Sequence, residues 1–221
     1  MKILVIDDHP IVQQGCTQIL RDGGATEVIV TGSLVQGFHL YRTASPDLII
    51  IDLTFSSGML GGRSFIRRLR VRDEKTPLLV FTMHSDPIIV SHCITAGANG
   101  YVLKDASLDE LLKAVRLVHL SKPYLSPEVA SEVAFSRAKG SRSPLERLST
   151  RELQTLAYLA EGKPYAVIAE NLNVSYKTAS NTCTQLKAKL GVTTLAELMA
   201  YAIEKLPNIP RVKEDHTRHS N

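Results

Sequence analysis

Pro46-Asp47-Leu48-Ile49-Ile50-Ile51-Asp52-Leu53 is the stretch whose reading decides the fold. Its large aliphatics run without polar interruption and most are β-branched, the pattern of a strand buried on both faces, as in the middle of a parallel sheet. Asp52 then stands at the carboxyl end of that strand. In open parallel α/β sheets ligands bind in the crevice outside the strands' carboxyl ends, so an acid there is a candidate for chemistry.

The neighbouring segments supply the rest of such a sheet. Lys2-Ile3-Leu4-Val5-Ile6-Asp7 is a second buried-type strand ending in acid, followed by Asp8-His9-Pro10. Pro10 suits the first turn of a helix, whose apolar positions Ile11, Val12, Cys16, Ile19 and Leu20 run to a stop at Asp22-Gly23-Gly24. Residues 27–32 read as a strand, and Ser33 as the cap of the next helix. A helix with basic exposed positions is predicted over 65–72 and a strand over 76–82. A helix from Asp86-Pro87 to Ala96, a short strand at Tyr101-Val102-Leu103 and a helix from Ser107 to Leu120 complete the set. The expectation is a doubly wound, flavodoxin-like α/β domain over residues 1–120, with a five-stranded parallel sheet and helices on both faces.

The chain has 221 residues, 44% apolar and 22% charged, which suits two globular domains. The apolar run at the N-terminus is too short for a signal peptide, and no segment approaches a membrane span. A cytoplasmic protein with no membrane partner is predicted. Cys16, Cys93 and Cys183 are odd in number and lie in apolar periodic segments, so reduced core thiols fit better than disulfides or a metal site. Residues 1–120 carry 12 basic and 12 acidic residues, against 14 and 10 in residues 121–221. The net charge of +4 therefore lies in the C-terminal part, a hint of a nucleic-acid partner there.

That part reads differently from the first. Residues 121–146 form a linker with a short helix capped at Ser126-Pro127-Glu128 and an Arg, Lys, Gly and Ser-rich stretch over 137–143. Residues 147–206 show only helical periodicity and predict a compact four-helix domain, and residues 207–221 read as a frayed tail. Ser149 with Glu152 makes a capping box, and Ala169 to Ser175 reads as helix, short turn and new N-cap. That is the spacing of a helix-turn-helix. Its second helix, 176–190, turns Ala179, Cys183, Leu186 and Leu190 inward and Lys177, Ser180, Asn181, Thr184, Gln185 and Lys187 outward, where short polar groups suit base edges and lysines suit phosphates.

In the first domain the ends of the first and third strands are neighbours, which brings Asp7, Asp8 and Asp52 together. Three close carboxylates repel unless a cation joins them, and an all-oxygen site with few protein ligands suits Mg²⁺. Thr82 and Lys104, at the ends of the fourth and fifth strands, add a hydroxyl and a point charge. Together these are the parts of a phosphoryl transfer onto Asp52.

Residues 1–120 resemble the receiver domain of bacterial two-component response regulators, through Ile6-Asp7-Asp8-His9-Pro10, Ile51-Asp52-Leu53, Phe81-Thr82-Met83-His84 and Gly100 to Ser107. The resemblance implies that Asp52 is the phosphoacceptor and that Asp7 and Asp8 hold Mg²⁺ with Asp52 and the Thr54 carbonyl. It also implies that Lys104 bonds the phosphoryl group, and that Thr82 and Tyr101 form the switch. His84 and Thr54 would flank the path of attacking water, the other reading of His84 being an exposed loop residue. The family's Met-Pro pair after the acceptor is absent, and a Gly-rich loop over 54–62 takes its place.

Residues 148–200 resemble the effector domain of the NarL/FixJ (LuxR-type) regulators, through Leu148 to Glu152, Ala160-Glu161-Gly162, Ile168-Ala169, Lys177-Thr178 and Lys189 to Val192. This adds Thr178 to the DNA-facing set. It implies a transcription regulator that is phosphorylated by a sensor histidine kinase, dimerises through Leu195 to Ile203 and binds double-stranded promoter DNA, with RNA polymerase as a further partner. No activity on another substrate is expected beyond its own phosphorylation and dephosphorylation. The residues also admit two other readings: an atypical regulator working without phosphate or through protein partners, and an Mg²⁺-dependent phosphatase. The second lacks an acid two residues after the nucleophile, where Thr54 stands.

Overall fold

The computed structural model describes residues 1–55, 61–138 and 144–206, and these fall into two compact units divided between Gln154 and Thr155. The first unit is built on a parallel sheet of β1 (Lys2–Ile6), β2 (Glu27–Thr31), β3 (Leu48–Ile51), β4 (Leu78–Thr82), β5 (Gly100–Leu103) and β6 (Tyr124–Leu125), in the order β2-β1-β3-β4-β5-β6. Between the strands run α1 (Pro10–Asp22), α2 (Leu34–Ala44), α3 (Gly61–Arg70) and α4 (Pro87–Thr95), with α5 (Leu108–His119) between β5 and β6 and α6 (Pro127–Ala138) after β6.

The five-stranded expectation is thus extended by one short strand. Tyr124 and Leu125 read as linker because two residues carry no periodicity, yet they pair in parallel with Gly100 and Tyr101. The helix at Pro127 is also longer than the short helix expected. It packs against α4, as does the 3₁₀ turn Pro144–Arg147. Helix α3 begins at Gly61 instead of residue 65, because Gly61-Gly62-Arg63 carries no apolar period to announce a helix.

Burial explains why the central strands are continuous apolar runs. Ile3, Val5, Leu48 and Ile50 turn to one face, where Cys16 and Leu20 of α1 and Leu111, Val115 and Val118 of α5 cover them. Intervening residues such as Leu4, Ile6, Ile49 and Ile51 are as fully buried, so both faces are covered. Ser33, Asp86 and Ser107 cap α2, α4 and α5 through side-chain oxygens that accept from backbone N–H groups.

Four helices follow: α7 (Thr150–Ala160), α8 (Tyr165–Asn171), α9 (Tyr176–Leu190) and α10 (Leu195–Lys205). At the start of α7 the Ser149 N–H donates to Glu152 Oε2 at 2.8 Å and the Glu152 N–H to Ser149 Oγ at 3.3 Å, the reciprocal capping box. In the second unit α8 packs on α9 and α9 on α10. Cys16, Cys93 and Cys183 are free and buried. Among the described residues no helix is long and apolar enough to cross a membrane. The tail 207–221 and the linker stretch 139–143 lie outside the described residues.

Candidate functional site

The register of the sheet builds the acidic cluster. Ile6 is paired with Ile51, so the residues that leave the two strands, Asp7 and Asp52, emerge side by side. The Asp52 N–H donates to the Ile6 carbonyl at 3.0 Å, and the Asp7 N–H to that of Thr31 at 3.0 Å. Both side chains are buried. Asp8 is next to them, and His9 Nδ1 lies 3.0 Å from Asp7 Oδ1, 3.2 Å from Asp8 Oδ1 and 4.0 Å from Asp52 Oδ2. One ligand atom from each of these four residues falls within 4.8 Å of the others, a donor set able to hold a divalent cation.

Lys104 enters from β5, where its N–H donates to the Thr82 carbonyl at 2.9 Å. Its Nζ sits 2.7 Å from Asp52 Oδ2 and 2.7 Å from Asp7 Oδ2, and the side chain is only 8% exposed. Burial alone would lower the ammonium's pKa, but the carboxylates of Asp52 and Asp7 outweigh it and raise it. The other acceptor oxygen, Asp52 Oδ1, takes the Leu53 N–H at 2.6 Å. Thr82 is fully buried, and its Oγ1 has no hydrogen-bond partner among the described residues. A buried hydroxyl left unpaired costs on the order of 1–3 kcal/mol, so Thr82 Oγ1 is a donor with its capacity unspent. Carboxylates gathered about one ammonium, with an unsatisfied hydroxyl at the end of the adjoining strand β4, fit a divalent cation together with a phosphoryl group.

Tyr101 is fully buried, turned inward, and its hydroxyl donates to the His84 carbonyl at 2.7 Å. His84 is itself only 2% exposed, so it is not the exposed loop residue that its position after a strand allowed. Burial lowers its pKa against the opposing pull of Asp52 and Asp86, and Nε2 lies 2.7 Å from Thr54 Oγ1. On the other side of the acceptor, a Cβ on Gly62 would come within 2.0 Å of the Asp52 carbonyl oxygen. Helix α3 therefore begins with backbone pressed on the acceptor's own backbone. Of the Gly-rich loop, residues 56–60 lie outside the described residues.

The residues read as DNA-facing all fall on α9. Lys177, Thr178, Asn181, Thr184 and Gln185 are exposed, Ser180 and Lys187 are half-buried, and Ala179, Cys183, Leu186 and Leu190 form the inner face. Ser175 Oγ accepts the Thr178 N–H at 3.1 Å as N-cap. Two hydroxyls of the set are engaged locally, that of Thr178 with Ser175 Oγ and that of Thr184 with the Ser180 carbonyl. His9 and Gly62 are the site residues that sequence reasoning did not single out. The acid-acid-His-Pro run and the Gly-Gly pair were their only signals.

The comparisons agree with this geometry. Residues 3–116 match the response regulator receiver domain, and residues 146–202 match the bacterial regulatory proteins of the luxR family. The chain is 36% identical to the methanol utilization control regulatory protein MoxX of Paracoccus denitrificans, over 92% of this chain and 91% of that one. It is 32% identical to the oxygen regulatory protein NreC of Staphylococcus aureus, over 93% of this chain and 98% of the other. Among solved structures it is similar to RcsB of Salmonella enterica serovar Typhimurium bound to the rprA promoter in the presence of the phosphomimetic BeF₃⁻. That likeness has a TM-score of 0.68 at 27% identity and covers 91% of this chain and 98% of that one.

Proposed function

The chain belongs to the bacterial response regulators that join a receiver domain to a luxR-family regulatory domain, and from that premise we propose that a partner histidine kinase phosphorylates Asp52, shifting the protein to a dimer that binds promoter DNA through α9. The family is one of transcription regulators, not of conventional enzymes. The observation that carries the reading is the placement of Lys104 Nζ at 2.7 Å from both Asp52 Oδ2 and Asp7 Oδ2.

In the transfer, a carboxylate oxygen of Asp52 forms a bond to phosphorus while the bond from phosphorus to the donor's nitrogen or oxygen breaks, and the leaving group takes up a proton. Mg²⁺, held by Asp7, Asp8, Asp52 and the Thr54 carbonyl, would supply charge neutralisation for the phosphoryl oxygens. Lys104 exchanges its carboxylate contact for a phosphoryl oxygen, and the Thr82 hydroxyl gains the partner it lacks. Tyr101, bonded to the carbonyl of His84, ties the segment after β4 to β5, so movement at Thr82 is felt in α4 and in α6 packed on it. The segments 1–120, 121–146, 147–206 and 207–221 serve as receiver, linker, DNA-binding domain and tail of a cytoplasmic protein, with RNA polymerase as a further partner.

On α9, Ser180, Asn181, Thr184 and Gln185 would read base edges, while Lys177, Thr178 and Lys187 would hold phosphates. The similar RcsB has been seen as two dimers bound to two parallel DNAs, which supports a dimeric reader. The test is retention of a promoter fragment, with oligomeric state followed alongside, before and after treatment with acetyl phosphate and Mg²⁺. Treated protein is expected to dimerise and bind more tightly. Equal mass and equal retention in both states would refute the coupling.

A further inference from the structure

Far from Asp52, the C-terminal ends of α2 and α3 enclose a cleft that the phosphorylation chemistry does not use. One hollow of ≈ 420 Å³ is lined by Phe38, His39, Arg42, Arg68, Val71 and Arg72. A second, of ≈ 450 Å³, shares Phe38, Arg42 and Arg72 with it and adds Tyr41 and Leu69. Neither is lined by an acid. Asp73, bonded to the lining Tyr41, has its oxygens engaged, accepting from the Tyr41 hydroxyl at 2.6 Å, from the Lys75 N–H at 2.7 Å and from the Thr76 hydroxyl.

The arginines are held in different ways. Arg68 lies over the Phe38 ring at 5.0 Å, and that ring is backed by Phe65 with centroids 4.2 Å apart, a cation–π contact that leaves the guanidinium's hydrogen-bonding capacity unspent. Arg42, Arg68 and Arg72 are exposed, and their side chains make no hydrogen bond or ion pair among the described residues. Cations at helix C-termini often do no more than offset the helix dipole. Arg70, the last residue of α3, is instead spent on the carbonyls of Gly97, Asp73 and Thr76 outside the helix, and Arg72 lies beyond the helix altogether.

We propose that this cleft binds a small ligand carrying two or more phosphate groups. Guanidinium forks match phosphate oxygens in pairs, and three of them around one cleft suit more than one phosphate. The volume is that of a small-molecule site, and Phe38 and Val71 give an apolar surface for the body of the ligand. The site is separate from the phosphoacceptor, since α3 meets Asp52 at its other end, through Gly62.

The test is calorimetric titration of the full chain with tripolyphosphate and with ATP, in EDTA so that no divalent ion can carry phosphate to the acidic cluster. Both probes are expected to bind, and tighter binding of ATP would assign its base to the apolar surface. The double substitution Arg42→Gln/Arg72→Gln, at exposed positions, should weaken both at least tenfold. Arg68→Lys, which keeps the charge but not the fork, should also weaken them, and Lys177→Gln/Lys187→Gln should leave both unchanged. Absence of binding by either probe would overturn the proposal, as would loss in the Lys177/Lys187 variant alone. So would cleft variants that alter DNA retention but neither probe, which would assign the surface to a nucleic-acid backbone.

Discussion

Thr54 Oγ1 and His84 Nε2 lie 2.7 Å apart, joining the segment after β3 to the segment after β4 beside the acceptor carboxylate. Under the proposed function this pair would flank the approach of attacking water to Asp52. Thr54→Ala should open that approach to water and shorten the lifetime of the phosphorylated state by about tenfold, the equivalent of about 1.4 kcal/mol. Decay of the labelled protein, followed by phosphate release, measures it; an unchanged lifetime would remove the pair from the mechanism.

Lys104 separates two buried carboxylates that would otherwise repel. Removing it with Lys104→Ala leaves Asp7 and Asp52 uncompensated and should cost roughly 3–5 kcal/mol of stability, partly restored by a divalent cation. Thermal unfolding with and without the cation reads both effects. The folded-state pKa of Lys104 is raised, so its contribution is complete below its ordinary value of 10.5 and is lost as pH rises through the folded value. Across the neutral range the wild-type contribution should therefore be flat.

At the opposite end of the sheet, Asp73 makes the reverse case. Burial would raise its carboxyl, but bonds from Thr76, Tyr41 and the Lys75 amide outweigh burial and hold it well below the usual carboxylate range. Its contribution is present above the ordinary value of 3.8 and is lost as pH falls towards the folded value. Asp73→Asn should lower stability at neutral pH and flatten the acid limb of a denaturation series. An acid limb that matches wild type would contradict the assignment.

Gly62 allows no side chain, because a Cβ would meet the Asp52 carbonyl oxygen at 2.0 Å. Gly62→Ala must shift either α3 or the acceptor backbone. Phosphorylation by a small phosphodonor should fall by at least about tenfold, since misplacement of a reacting group by a fraction of an ångström is costly. The rate of incorporation into the folded variant checks it.

On α9, Lys177→Ala and Lys187→Ala should weaken binding to all DNA sequences alike, each reducing the salt slope by roughly 0.9. Asn181→Ala should instead change which sequences are preferred. Binding measured against salt on two unrelated fragments separates the two effects.

The elements that could be read in advance are those with a strong period. Ile49 to Ile51 announced a buried central strand, and Ala179, Cys183, Leu186 and Leu190 marked the inner face of α9, whose bounds agree with the structure. The acids could be placed because strand adjacency follows from the topology. What stayed hidden depends on single residues meeting across the fold. Tyr124 and Leu125 are too few to show a strand's alternation, and buried His84 is bonded by Tyr101 and Thr54, distant in sequence. The start of α3 was missed because glycine opposes helix by propensity, while close approach to Asp52 demands it.

The central claim is that Asp52 accepts the phosphoryl group. Intact-protein mass measurement after incubation with acetyl phosphate and Mg²⁺ tests it most directly, with Asp52→Ala treated in parallel. Wild-type protein should gain one acid-stable, base-labile phosphoryl group that the variant does not acquire. No gain in wild type, or an equal gain in Asp52→Ala, would contradict the account.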